Sequence, residues 1–288
     1  MSLHRLRRDW LPPALLLLAL LVAWEVIVRL VGIAPWLLPP PSAIPGAFLR
    51  VGDVLLGHTL VTATEVVLGI GVSIIVGLAV AVAISASPLV ERALYPLLVA
   101  SQTVPITVIA PLLLIYLGYD IAPKIALVTL ICFFPITVNT VDGLRAVDSE
   151  AVTLLRTFGA TKRQIFTKVR WPAALPFFFS GLRLAATYSV IGAVFGELLG
   201  ASSGLGYYIR AQTPRFKTPE VYAATLILVL LGVALFLLVR LVEWVALPWR
   251  RAGRVQRSKF SVQRAETHPE RGELLGLHPA SKAPHPEP

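Results

Sequence analysis

The stretch DGLRAVDSEAVTLLRTFGATKRQIFTKVRWP, Asp142 to Pro172, is a polar and basic segment set between two long apolar runs. Its pattern predicts two short amphipathic helices meeting at a glycine. Asp148, Ser149 and Glu150 open the first, where a hydroxyl and carboxylates satisfy free N–H groups and suit the positive end of the helix. Gly159 stands where a left-handed C-terminal cap is needed. Thr161 followed by Gln164 forms a capping box that starts the second helix, and Trp171-Pro172 is expected to end it. The product is a compact helical knuckle on a membrane surface. Spanning a membrane does not require such a knuckle, so its expected task is to dock onto something soluble.

The membrane follows from composition. The 288 residues are 56% hydrophobic and 15% charged, with a mean hydropathy of +0.75, outside the range of ordinary soluble domains. A hydrocarbon core of about 30 Å needs roughly 20 apolar residues as helix. Six stretches qualify, near 12–32, 60–84, 94–117, 122–141, 174–199 and 221–246. The fold class expected is all-α, a polytopic membrane protein. Pro105, Pro111 and Pro135 fall inside spans, where they bend helices or free carbonyls for other donors.

The formal charge of +10 is distributed unevenly. Arg5, Arg7 and Arg8 precede the first span, Arg92 follows the second, and Arg145, Arg156, Lys162, Arg163, Lys168 and Arg170 lie in the knuckle; eight more cations occupy Arg250 to Lys282. The opposite side has only Arg50, Lys124, Arg210, Arg215 and Lys217. This bias places both termini and the knuckle in the cytoplasm, and anionic lipid headgroups rather than nucleic acid account for the charge. The apolar run from Leu11 to about Val31 is too long for a cleaved signal and reads as an anchor, with Glu25 and Arg29 one turn apart and able to pair. The single cysteine, Cys132, excludes an intrachain disulfide, and no histidine falls within an expected span, so no metal site is expected. Residues 1–10 are expected to be a cytoplasmic N-terminus and 11–248 the permeation domain, with 249–288 a basic, disordered tail.

Small residues recur every fourth position at Gly69, Ser73 and Gly77 and at Gly192, Gly196 and Gly200. They let helix backbones approach closely, either within one bundle or between copies. Polar groups at membrane depth are costly and mark an interior or a pathway. Glu65, Gln102 and Asn139 are the candidates to line a translocation path, with Glu197 near the outer end, beside GASSGLGYYI; each is equally suited to hold helices together.

The knuckle resembles the cytoplasmic loop signature of binding-protein-dependent ABC importer permeases, an E-A-A triplet, a glycine, then I-x-L-P. Thr153, Leu154 and Leu155 stand at the triplet, Gly159 at the glycine followed by Ala160 and Thr161, and Val169, Trp171 and Pro172 at the end. Threonine replaces the family's glutamate, so no role of that carboxylate carries over. LPPPS from Leu38, YPLLVASQTVPITVIAPLLLIYLGY from Tyr95, ICFFPITVNTVDGLRAVD from Ile131, PAALPFFFSGLRLA from Pro172 and GELLGASSGLGYYI from Gly196 are similar to the nitrate, sulfonate, taurine and bicarbonate branch. HTLVTATEVVLG, from His58, together with the Ile131 segment looks closest to permeases for riboflavin or the thiamine pyrimidine.

The resemblance implies a type I importer permease fold in a bacterial inner membrane. It also implies a cytoplasmic ABC ATPase subunit as partner, an extracytoplasmic substrate-binding protein, and a second permease copy, most simply an identical one. The chain has no G-x-x-x-x-G-K-[ST] loop, so ATP and magnesium are expected to be used by the separate ATPase, with no cofactor bound here and no enzymatic activity of its own. The expected cargo is a vitamin or precursor, with taurine, alkanesulfonate or nitrate as the alternative within the same importer type. An ATP-independent secondary transporter is the alternative of another class; no internal repeat supports it. A membrane enzyme would need a nucleophile with its base, or metal ligands, which the spans do not offer.

Overall fold

The structure, a computed structural model, describes residues 3–249, with side chains from residue 11. The expected disordered tail, 249–288, lies almost wholly outside the described residues. The helices are α1 (Leu3–Val31), α2 (Ala43–Ala86), α3 (Pro88–Ser101), α4 (Ile106–Leu117), α5 (Ile121–Arg145), α6 (Ser149–Thr157), α7 (Lys162–Ile165), α8 (Trp171–Gly200), α9 (Leu205–Gln212) and α10 (Thr218–Ala246). No strand occurs among the described residues. The chain divides into two units, Met1–Arg240 and Leu241–Pro288, and the described part of the second is the end of α10 and the few residues after it.

Among the described residues five helices are long and apolar enough to cross a membrane. The expected third span is not one rod. α3 and α4 meet at 97°, because Ser101–Pro105 breaks the helix and Pro105 cannot donate an N–H to continue it. α2 is also longer than its expected span, and a non-helical Val51 separates its first turns from the rest.

α5 is the middle of the packing, held between α2 and α8. Both small-residue stripes face it. A Cβ on Gly69 would meet Val128 at 2.4 Å, and one on Gly192 would meet the Val128 backbone at 3.1 Å. On Gly181 a Cβ would lie 2.3 Å from the Pro135 carbonyl oxygen. Close approach within one bundle is therefore what the stripes provide, rather than a contact between copies. Hydroxyls stitch the same seam: Thr129 donates to the Gly69 carbonyl at 3.3 Å, and Ser73 Oγ lies 3.0 Å from the Thr129 carbonyl. Two apolar cores flank this centre. One joins Leu55, Val190, Leu205, Tyr208 and Leu228 at the end of the bundle far from the knuckle, and the other joins Ala81, Ile84, Leu98 and Val141 near it.

Candidate functional site

The knuckle forms as its caps require. The Asp148 carboxylate accepts the Glu150 N–H at 2.9 Å. At the other end of α6, the Gly159 N–H donates to Arg156 O at 2.9 Å and the Ala160 N–H to Leu155 O at 3.0 Å, the paired bonds of a Schellman turn, with Gly159 at φ +80°. In the capping box, the Gln164 N–H donates to Thr161 Oγ1 at 3.3 Å while the Thr161 N–H donates to Gln164 Oε1 at 2.8 Å.

Two details differ from expectation. Asp142–Arg145 is the last turn of α5, with Arg145 bonded to Glu91 at 2.7 Å and stacked over Tyr95, so this cation ties α3 to α5 instead of serving the knuckle. Trp171-Pro172 does not end the second helix either. α7 passes through a π-helical turn, Phe166–Arg170, directly into α8, making one continuous rod, Lys162–Gly200. The cause is local: Pro172 has no N–H for the carbonyl four residues earlier, and the Trp171 N–H bonds to Phe166 O five residues back.

Of the triplet positions, Thr153 is exposed and its hydroxyl donates back to Ser149 O at 2.9 Å, Leu154 is 57% exposed, and Leu155 is half-buried. Phe158, one turn after Leu154, is 79% exposed. Val152 and Ile165 point inward and anchor the knuckle. Leu154 and Phe158 are surface features that the capping signals did not single out, although their spacing of four places them together on one helix face. Val169 and Pro172 are half-buried in the joint to α8.

The four candidate path residues separate into two kinds. Glu65 and Glu197 are completely buried at the far end. Lys124, expected on the outer surface, is also buried, 3.2 Å from Glu65. The Glu197 carboxylate accepts the Thr62 hydroxyl at 2.6 Å and the Gly206 N–H. Thr62 Oγ1 in turn accepts the Leu205 N–H at 2.9 Å, and His58 Nδ1 accepts the Gly204 N–H at 3.1 Å. These acceptors on α2 and α8 cap the start of α9, so neither glutamate has surface that a solute could touch in this conformation. His58 lies inside α2, two residues before the span expected from hydropathy. Its role with Thr62 and Glu65 was readable as a polar stripe at i, i+4 and i+7 on an otherwise apolar helix.

Gln102 and Asn139 are different. Gln102 is exposed at the α3–α4 break, beside exposed Thr103. Asn139 is half-buried against α8, and its amide donates to Pro135 O at 2.8 Å. No cluster of metal-ligating side chains occurs among the described residues.

A multi-pass helical bundle with an exposed, capped knuckle and a bent helix pair is the architecture of a polytopic membrane protein. The chain belongs to the family of binding-protein-dependent transport system inner membrane components, which it matches over residues 69–244. It is thus the permease subunit of an ABC importer, a transport subunit and not an enzyme. It is 42% identical to the formylaminopyrimidine transport permease protein ThiX of Halalkalibacterium halodurans, over 84% of this chain and 96% of that protein. A probable ABC transporter permease protein of Haemophilus influenzae is 38% identical, over 78% of this chain and 92% of its own length. The riboflavin transport system permease protein RibX of Chloroflexus aurantiacus is 34% identical, over 86% and 93%.

Proposed function

We propose that two copies of this chain form the membrane pathway of an importer for a pyrimidine vitamin precursor of the formylaminopyrimidine type. An extracytoplasmic binding protein delivers the cargo, and a separate cytoplasmic ATPase, using ATP and magnesium, drives transport; the permease itself binds no cofactor. The similarity to ThiX over nearly the whole of that protein supports the cargo class, with riboflavin as the next candidate. On the cation bias, both termini and the knuckle face the cytoplasm.

One observation carries the coupling. α6 is capped at both ends, turned at Gly159 and joined through α7 without a break to α8, so movement of the knuckle is passed on to a transmembrane helix as a rigid body. Thr153 cannot supply the family's carboxylate. Leu154 and Phe158 are exposed apolar side chains of the knuckle, and Arg156, Lys162 and Arg163 are exposed cations of the same segment, together an apolar contact and basic charge for the ATPase groove. Gln102 and Thr103 at the α3–α4 break, and Asn139, are the polar groups assigned to the pathway, since irregular backbone at membrane depth is tolerated where it lines a cavity.

The deciding experiment is uptake of labelled formylaminopyrimidine by cells that lack their own route and express this permease with its ATPase and binding protein. Accumulation that ceases when the ATPase is inactivated is the expected result. Uptake of riboflavin or taurine, with none of the pyrimidine, would overturn the cargo assignment. Accumulation without the ATPase would overturn the importer mechanism.

A further inference from the structure

At membrane depth a hydroxyl needs a partner, because hydrocarbon offers none. The exposed Thr64 on α2, Thr187 on α8 and Thr225 on α10 each find one within their own helix, donating to the carbonyl four residues back at 2.8, 3.1 and 2.9 Å. Tyr188 of α8 is different. Its ring carries the hydroxyl away from the helix, the residue is 44% exposed, and among the described residues nothing pairs with that hydroxyl. Nor does it lie at the headgroup level where lipid-facing tyrosines gather. It stands about 18 Å along α8 from Gly200 and about 26 Å from Trp171, within the membrane-crossing part of the rod.

The face of α8 that bears Tyr188 also bears Gly181, about 20° away around the helix axis. Asn139 of α5 lies against Gly181, where an added Cβ would come 3.0 Å from the Asn139 Cβ. One N–H of the Asn139 amide bonds to Pro135 O, which leaves its side-chain oxygen as an acceptor and its second N–H as a donor. Tyr188 and the Gly181 level at which Asn139 sits are thus on one side of α8, offset by about 10 Å along it, a separation that one substituted ring can bridge. Exposed Leu184 lies between the two levels. Arg183 is turned about 140° away from Tyr188 around the axis. Its guanidinium donates to Ser180 Oγ at 3.0 Å, so among the described residues no cation of α8 shares this face.

We propose that Tyr188 contacts the cargo and selects it, its ring stacking on a flat heteroaromatic solute in transit while its hydroxyl and the Asn139 amide bond the ring nitrogens and the N–H groups of the substituents. A neutral aromatic ring matches what this face offers, one π surface and two groups that both donate and accept. A sulfonate, which exchanges its water for charge-assisted bonds, finds no cation there. The assignment rests on the importer reading above and narrows it, since it places a preference for planar heteroaromatic cargo in the permease itself.

The test uses the complete importer, permease, ATPase and binding protein, in proteoliposomes supplied with labelled formylaminopyrimidine. The readout is cargo transported per ATP hydrolysed. Tyr188→Leu, which loses both the ring and the hydroxyl, is expected to lower that ratio about tenfold, and Tyr188→Phe, which keeps the ring, about threefold. Tyr188→Cys is expected to react with a membrane-impermeant thiol reagent, against a wild type whose one cysteine, Cys132, is completely buried. A wild-type ratio for Tyr188→Leu would overturn the cargo contact while the importer reading stands. Loss of uptake that follows loss of the permease dimer, with Tyr188→Cys unreactive, would make Tyr188 a contact between copies and overturn it equally. If the wild type takes up no pyrimidine, the cargo reading falls and this assignment falls with it.

Discussion

The two ends of the bundle are built by opposite means. At the knuckle, the bonds that set the two turns and the joint to α8 connect residues at most five apart. At the far end, Thr62 and His58 on α2 reach Glu197, Leu205 and Gly204 across 135, 143 and 146 residues. The knuckle is also exposed, whereas Glu65, Thr62 and Glu197 have no exposed surface. A locally determined, exposed element can change its docking partner without disturbing the bundle. A buried, long-range cluster cannot be altered without disturbing the packing it organises. Damage at the far end should therefore appear as lost protein, and damage at the knuckle as lost coupling.

The largest effect is expected at Glu197. Glu197→Ala leaves the Gly206 N–H without its acceptor and the Thr62 hydroxyl with only the His58 carbonyl, a loss of about 1.5–3 kcal/mol for each bond to the carboxylate, on top of the cavity that truncation of a buried side chain opens. Gly204→Ala should be comparable: its Cβ would fall 2.2 Å from the Glu197 carboxyl carbon, at a φ of +107°. Both should sharply reduce the yield of folded protein in detergent. Normal yield and melting temperature for Glu197→Ala would remove the distinction between the ends.

Next comes the Glu65–Lys124 pair. Lys124→Met should destabilise strongly by leaving Glu65 buried without its cation, while Lys124→Met/Glu65→Gln should recover most of the loss. Thermal melting of the two single variants and the double variant reads the coupling directly. Additive losses would show that the pair is not a unit.

At the knuckle the expected cost is smaller and its readout changes. No atom lies within 4 Å of a Cβ added at Gly159, so Gly159→Val is penalised by its φ of +80° alone, about 1–2 kcal/mol. Thr161→Ala removes the hydroxyl half of the capping box and costs about 1 kcal/mol. Both variants should insert and assemble at near-normal yield but hydrolyse ATP without matching transport. Gly159→Asn, which tolerates the left-handed region, should retain more coupling than Gly159→Val. Equal transport by all three would break the link between turn geometry and coupling.

The same contrast explains what was legible in the sequence. Asp148, Gly159, Thr161 and Gln164 are local signals, and each sits in the structure at the cap its neighbours predicted. The spans were legible from hydropathy, and the glycine stripes from their period of four. The 97° break was only partly legible: Pro105 marked a bend, but proline does not state whether a span curves or turns back. The far-end cluster is legible only as polar and deep, because a single sequence shows where Glu65 and Glu197 lie along their helices, not that Lys124, Thr62 and the α9 N–H groups meet them. Those partners are decided by how α2, α5 and α8 stack.

The smallest expected effect on stability, and the finest test of the comparison, is at Pro172. The proline withholds an N–H where α7 runs into α8, and the Trp171 N–H compensates by reaching Phe166 in a π turn. Pro172→Ala returns that donor, so the segment can close as ordinary α-helix, which turns by about 100° per residue and would rotate the knuckle about the α8 axis. Stability should fall by only about 0.4–1 kcal/mol, chiefly through the freer unfolded chain. The ratio of substrate transported to ATP hydrolysed should fall further than in Thr161→Ala, because the direction of the transmitted movement changes while the docking surface stays intact. If Pro172→Ala transports with the wild-type ratio, the joint tolerates either register, and the rigidity that matters lies in α6 and its caps alone.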